Sequence, residues 1–437
     1  MHLKLSGIKV PHRKNTASMQ AVTMAPSSKV TIPMNMSIGM PSTPIVKVGD
    51  TVKVGQLIAE CSGHISSNIH SSVSGTVRAI APMWTSNGGQ TTAITIESDG
   101  FMSVSEDCVP PKITDYESFI SAIRASGLVG LGGAGFPTAV KLDIKDLSRL
   151  EEVVINGAEC EPYITSDTLT MTNKPELVRE GIELLIRYLG VKKVIIGVEE
   201  NKPDAVRKMQ ELHNDIVSVK VLPSIYPQGA EKVLIYNCTG KVVPEKKLPI
   251  DVGVLVINVS TIAFIAEYVK TGMPLTQRTI TVDGSGVLKP QLVNVLVGTP
   301  MSEVFDFCGG LKENVGKIFY GGPMTGVTVK DISSPILKNT NAIIALDEKD
   351  SHLPEPTTCI RCGRCVRACP LSLMPLDFAR AYALHDYDLL EKRKVNICME
   401  CGCCSYVCPA NRPLVENNKL AKAALRKHKE KLKGETK

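Results

Sequence analysis

No stretch of this sequence is both long and apolar enough to suggest a membrane crossing. The longest apolar run, VGVLVINVSTIAFIA (252–266), is interrupted by Asn258, Ser260 and Thr261. It also falls short of the roughly 20 residues that a spanning helix needs. The opening, MHLKLSGIKVPHRKN, lacks the apolar core of a secretory leader. The chain is therefore expected in the cytosol or at a membrane periphery reached through partners. Charge of one sign is also in short supply. A formal net charge of +6 over 437 residues is a mild bias, and it gives no reason to expect a nucleic-acid partner. Lysine is missing where one fold would need it. PIVKVGDTVKVGQLIAE followed by ISSNIHSSVSGTVRAI has the rhythm of the barrel-sandwich hybrid of lipoyl and biotinyl carriers. No lysine occurs between Leu57 and Val77, so the fold is expected without the carrier function.

The length predicts two to four domains. Residues 1–112 read as β, with short Val, Ile and Thr runs between Gly and Ser turns. Residues 113–275 read as α/β. DYESFISAIRASG places Tyr116, Phe119, Ile120 and Ile123 on one helical face, with Asp115 as N-cap and Gly127 as stop. EVVIN, KKVIIGV and VSVKVLP alternate with the helical segments PELVREGIELLIRYLG and KPDAVRKMQELH. That order predicts a parallel sheet with helical crossovers. Residues 276–350 return to β with one helix, and LPEPTT (353–358) reads as a linker. Residues 351–415 form a cysteine module. The lysine-rich tail, 416–437, reads as a solvated helix, with docking to a partner or an anionic surface as its functional alternative.

Nine of the 14 cysteines fall in two runs, CIRCGRCVRACP and CMECGCCSYVCP, and eight of the nine keep one repeat. Each contains C-x2-C-x2-C-x3-C-P, the bacterial ferredoxin spacing for a [4Fe–4S] cluster. Three thiolates two residues apart wrap one cubane, and the fourth, followed by proline, reaches the other cluster. One cluster is thus assigned to Cys359, Cys362, Cys365 and Cys408, and the second to Cys398, Cys401, Cys404 and Cys369. Cys403 breaks the repeat and is read as a bystander. Structural zinc, the competing reading, usually takes ligand pairs separated by a longer loop.

GLGGAG (130–135) satisfies G-x-G-x-x-G, but a dinucleotide fingerprint must follow a strand. Here a helix precedes the glycines, and EVVIN ends in Asn156, not an acid. Five glycines within residues 127–135 still expose backbone N–H groups to a flat ligand or a phosphate. GLGGAGFPTAVKL closely resembles the flavin loop of the 51-kDa NADH-oxidising subunit of respiratory complex I. INGAECEP, YPQGAEK and VINVSTIA resemble that family's later flavin segments. The domain order resembles the RnfC family, found in Rnf-type complexes, ferredoxin:NAD oxidoreductases that pump Na+ or H+.

The resemblance implies an N-terminal barrel-sandwich hybrid, a complex I-like FMN-binding α/β domain, a β-grasp (SLBB) domain and a helical two-cluster ferredoxin-like module. It implies non-covalent FMN beside two [4Fe–4S] clusters, with NAD(H) as substrate. Gly132, Gly133 and Gly135 would line the flavin, and Lys141 would face its phosphate. Asn156, Asn258 and Thr261 would also contact FMN. Glu161 and Glu231 would lie near the nicotinamide or its ribose, and Phe136 would stack on the adenine. Ala158 and Ala230 depart from the pattern, standing where the complex I family carries acids. The implied partners are iron–sulfur and membrane subunits on the cytoplasmic face, with ferredoxin reached indirectly. Three rivals stand beside this reading: a flavin and iron–sulfur cobalamin reductase, a non-catalytic electron-transfer scaffold, and a zinc module.

Overall fold

A computed structural model describes residues 7–86 and 88–435. The strands of the barrel-sandwich sheets begin at Lys29. The four-stranded sheet runs in the order Lys29–Pro33, Gln90–Ser98, Gly75–Trp84 and Thr51–Val52. A three-stranded sheet joins Thr43–Pro44, Leu57–Glu60 and Ile69–His70. Inward residues of both sheets, among them Ile32, Ile58, Ile69 and Ile94, share one core. Pairs two apart, Val30 with Ile32 and Ile94 with Ile96, are buried together because side chains alternate across a sheet.

The α/β domain carries a wholly parallel sheet, ordered Val217–Leu222, Val194–Glu199, Glu152–Gly157 and Val254–Asn258. Val194–Glu199 is buried along its whole length, as expected for a strand covered on both faces. The helix Tyr116–Ala125 starts at the Asp115 cap, where Ser118 completes a capping box. It stops at Gly127, whose φ of +65° admits glycine without strain.

The β-grasp domain builds a six-stranded sheet from Gln291–Leu296, Gln277–Asp283, Ala342–Asp347, Val315–Tyr320 and Val327–Val329, with Ala21–Thr23 at its edge. The cluster module consists of short helices laid against the long helix Leu414–Glu435. Among the described residues, no helix is long and apolar enough to cross a membrane.

Two terminal segments are tied down by distant parts of the chain. Residues 7–23, within the span read as barrel-sandwich, pair outside its two sheets. Ile8 pairs antiparallel with Tyr226 of the α/β domain, and Ala21–Thr23 pairs with Leu292–Asn294 of the β-grasp sheet. An unpaired sheet edge recruits any strand in reach, and here the N-terminal segment supplies it. The lysine-rich tail is likewise no free solvated helix. Ala421 and Leu425 are buried against Phe378 and Leu390, so this helix closes the core of the cluster module.

Lys338, 1% exposed, sits where three domains meet. Its ammonium donates to the Gly127 carbonyl at 2.8 Å and to the Asn68 carbonyl. Burial pushes its pKa down to about 7, while the two acceptors favour the charged form. Lys338→Met leaves both carbonyls without their donor. A buried unsatisfied group costs about 1–3 kcal/mol, so with two such groups the denaturation midpoint should fall by the equivalent of about 2–6 kcal/mol. An unchanged midpoint would show that the ammonium does not hold the three domains together.

Candidate functional site

The strand order of the parallel sheet reverses beside Glu152–Gly157. Val194–Glu199, next in sequence, lies on one side of it, and Val254–Asn258 lies on the other. Open α/β sheets leave a crevice beyond the carboxyl ends of their strands at such a point. Register places Asn156 beside Asn258 there. Asn258 caps the helix Val259–Thr271, its Oδ1 accepting from the N–H groups of Ser260 at 3.0 Å and Thr261 at 3.2 Å. Its Nδ2 donates to Asp167 at 2.7 Å. Asn156 donates to the Gly229 carbonyl at 3.0 Å.

The glycine loop reaches this crevice from outside the sheet, between two helices. Its base closes through Gly130 N–H donating to the Phe136 carbonyl at 2.8 Å. Leu131 N–H donates to Thr261 Oγ1 at 2.9 Å. Buried Arg278 donates to the Leu131 carbonyl and the Thr340 carbonyl, each at 3.1 Å. A Cβ on Gly132 would stand 2.9 Å from Asn258 Nδ2, so only glycine lets the loop lie against the strand ends. Gly133, at φ +106°, presents bare backbone with no atom closer than 3.7 Å to where a Cβ would be. Gly135 packs against Asn339.

Gly132 and Gly133 line a cleft of about 660 Å³ with walls from three domains. Glu161 lines it too. Its carboxylate accepts from Met324 N–H at 3.1 Å and from the Thr325 hydroxyl. Burial nevertheless pushes this carboxyl above its ordinary value. The loop bearing Glu161 has no regular structure, and its carbonyls are met by half-buried Lys14 and buried Lys202. Lys14 donates to Glu159 O at 2.9 Å, Glu161 O at 2.8 Å and Ile164 O. Lys202 donates to Ala158 O and pairs with Glu199, both at 2.7 Å. Lys141 and Glu231 form their own ion pair at 2.8 Å. Neither is among the cleft-lining residues, and nor is half-buried Phe136.

The eight repeat cysteines rim two cavities. Cys359, Cys362, Cys365 and Cys408 surround one of about 240 Å³. Cys369, Cys398, Cys401 and Cys404 surround the other, together with Cys403. Among the described residues, no three potential ligands converge on a point where one metal ion would sit. Thiols ringing a cavity suit a cubane with iron at separate corners. Cys403, 1% exposed, directs its thiol at the Tyr226 carbonyl at 3.9 Å. Asn418 of the long C-terminal helix directs its Nδ2 at Cys398 Sγ and Cys404 Sγ, at 3.6 and 3.9 Å.

Four family models match in the order of these domains: the RnfC barrel sandwich hybrid domain (4–101), the Nuo51 FMN-binding domain (123–267), the SLBB domain (279–328) and the 4Fe-4S dicluster domain (353–424). The chain is 41% identical over 427 residues to the RnfC-type component of the Na(+)-translocating ferredoxin:NAD(+) oxidoreductase complex of Acetobacterium woodii, covering 95% of each. The chain belongs to the RnfC family. It is 39% identical to the corresponding component of the proton-translocating ferredoxin:NAD(+) oxidoreductase complex of Clostridium ljungdahlii, over 84% of this chain and 82% of that one. It is 38% identical to its counterpart in the ion-translocating oxidoreductase complex of Rhodobacter capsulatus, over 95% and 81%. These matches do not favour the cobalamin-reductase, scaffold or zinc readings.

The residues of this RnfC chain fit the groups its domains take. The bare backbone at Gly132 and Gly133 leaves room for a flat ring, and Asn156, Asn258 and Thr261 cluster beside it. The two thiol rings supply the donor set of two [4Fe–4S] clusters. The sequence reading missed Lys14, Lys202 and Asp167, since nothing in their local sequence marks a buried charge. Asp167 accepts from Asn258 and, at 2.6 Å, from the Ser260 hydroxyl. Burial, then repulsion from Glu159, raises its pKa to about 6. The native state therefore holds this proton at a pH where the unfolded chain has lost it. The resulting penalty is full above about pH 6 and shrinks as pH falls towards the ordinary carboxylate range. Asp167→Asn should stabilise the protein more at pH 8 than at pH 5, by about 1–2 kcal/mol. Equal effects at both pH values in denaturant titrations would contradict the assignment.

Proposed function

We propose that this chain is the NAD(H)-reacting subunit of an ion-translocating ferredoxin:NAD oxidoreductase, held peripherally on the cytoplasmic face of the cell membrane. The observation that carries the reading is the contact between the glycine-loop crevice and one thiol ring. Gly229 holds Asn156 at the crevice. Three residues before it, the Tyr226 hydroxyl donates to the Cys401 carbonyl at 2.8 Å.

FMN exchanges a hydride with NAD(H) and single electrons with iron–sulfur clusters, so the two kinds of site belong together in one chain. We assign Gly132, Gly133, Gly135, Asn156, Asn258 and Thr261 to the flavin, and Lys141 to its phosphate. The Lys141–Glu231 pair keeps both charges matched at the helix start Glu231–Thr239. Glu161 and Glu231 are assigned to the nicotinamide nucleotide. Glu161, fixed by Met324 and Thr325, offers lone pairs to a carboxamide or a ribose hydroxyl. Cys369, Cys398, Cys401 and Cys404 form the ring that abuts the crevice. The other ring, Cys359, Cys362, Cys365 and Cys408, has Cys362 exposed among Arg361, Arg364 and Arg367. That rim suits an acidic face on a partner redox subunit.

The test is anaerobic. The chain is purified alone, FMN, iron and sulfide are quantified, and NADH is added. Bleaching of flavin and cluster absorbance is expected; intact clusters without flavin and without bleaching would leave only an electron wire. The ligand assignment makes a separate prediction. Cys403→Ala should keep all its iron, whereas Cys408→Ala should lose about half, one of the two cubanes. Iron lost on Cys403→Ala would refute the bystander reading.

A further inference from the structure

We propose that Trp84, at the tip of a barrel-sandwich ribbon, is the stacking platform for the adenine ring of the dinucleotide. The inference rests on the NAD(H) reading above. It gives the N-terminal domain a task that its missing carrier lysine leaves open.

Trp84 is the only tryptophan in the chain, and it is 67% exposed. Leaving so large an apolar ring in water forgoes the burial that normally places tryptophan. It ends the ten-residue strand Gly75–Trp84, whose outer half projects beyond the buried part of the sheet. Its cross-strand neighbour is Gln90, and Thr85 N–H bonds to the Gly89 carbonyl at 2.8 Å, so the ribbon is hydrogen-bonded out to this ring. Met83, Trp84, Thr85 and Ser86 line the same cleft as Gly132, Gly133 and Glu161.

The chemistry of the three walls differs. The glycine-loop wall is bare backbone suited to the flavin. The β-grasp wall is polar, with Thr325, Ser334, Asn339 and Asn341, and suits ribose and phosphate oxygens. Two aromatic residues line the cleft, Trp84 and Tyr320. Tyr320 is half-buried, its hydroxyl donating to the Pro335 carbonyl at 2.6 Å. Trp84 is therefore the lining ring with a face free to stack. A dinucleotide with its nicotinamide at Glu161 has its purine at the far end of the molecule, where a hydrogen-bonded ribbon offers a flat ring at small entropic cost.

The experiment uses the anaerobically purified chain with its FMN and clusters. Because tryptophan occurs once, its emission reports on this residue alone. Titration with ADP-ribose, which has the adenine end and no nicotinamide, should quench the emission saturably, while nicotinamide mononucleotide should not. Trp84→Ala should raise KM for NADH about tenfold or more, the scale of a lost base–aromatic stack. The value of kcat and the FMN and iron contents should not change, and Trp84→Phe should restore most of the affinity. Emission unmoved by ADP-ribose, or an unchanged KM in Trp84→Ala, overturns the proposal. A KM defect in Phe136→Ala and none in Trp84→Ala also overturns it, moving the platform to the glycine loop. NADH bleaching without any change in emission defeats the platform and leaves the proposed function standing. Absence of bleaching defeats that function, and saturable quenching by ADP-ribose would still place a nucleotide on Trp84.

Discussion

Buried and half-buried cations bonded to loop carbonyls hold this site together. The segments that form it, 127–135, 158–164 and 337–341, are almost without helix or strand, so their backbone acceptors have no ladder to join. A buried carbonyl without a donor is costly, and four long side chains meet that demand. Arg278 reaches Leu131 and Thr340, Lys338 reaches Gly127 and Asn68, Lys14 reaches the carbonyls of Glu159, Glu161 and Ile164, and Lys202 reaches Ala158. A lysine offers three donors from one atom, which lets Lys14 gather a whole irregular loop. Desolvation opposes the arrangement, lowering the pKa values of Lys14, Arg278 and Lys338 alike. Such charges persist in an interior only where hydrogen bonds compensate them.

The consequence is a preorganised cleft. Glu161, Gly132 and Asn258 sit on different segments, but each is tied to a neighbour that cannot move alone. Asn258 is fixed three ways, by its helix cap, by Asp167 and by the close approach of Gly132. Positions held within fractions of an ångström are what hydride exchange requires, because misplacement of reacting groups is severely costly in rate. The cleft walls therefore come largely from loops, while rigidity comes from cations anchored on other segments.

The sequence carries part of this plainly. The two cysteine runs announce their chemistry because ligand spacing is local, and the Asp115 cap and Gly127 stop are local as well. The parallel sheet follows from hydrophobic alternation. The switch point does not, because strand order is decided by packing between distant segments. Nor do the pairings of the N-terminal segment, because Ile8 and Ala21–Thr23 meet partners more than two hundred residues away. The long terminal helix reads as solvated because lysines dominate it. Its buried stripe at Asn418, Ala421 and Leu425 occupies one face only, and its significance depends on what that face meets. Lys14, Lys202 and Asp167 are illegible for the same reason: a buried charge has the same letter as an exposed one.

The position of the cluster module relative to the crevice has a separate physical basis. The connection Leu353–Thr358 is exposed and by itself would let the module swing. Ile8, Val10, Cys160, Tyr226, Ala368 and Cys403 form a single buried cluster drawn from three parts of the chain. The Tyr226 hydroxyl reaches the Cys401 carbonyl from one side, and the Cys403 thiol reaches the Tyr226 carbonyl from the other. Electron tunnelling falls off exponentially with distance, so this contact has to be rigid. The extra thiol that disturbs the ferredoxin repeat is thus explained by packing. Cys403 is small, apolar and able to donate weakly, which fills the seam beside Tyr226. The N-terminal segment pairs through Ile8 with Tyr226 and locks the same seam from the flank, helping to fix the separation between crevice and thiol ring.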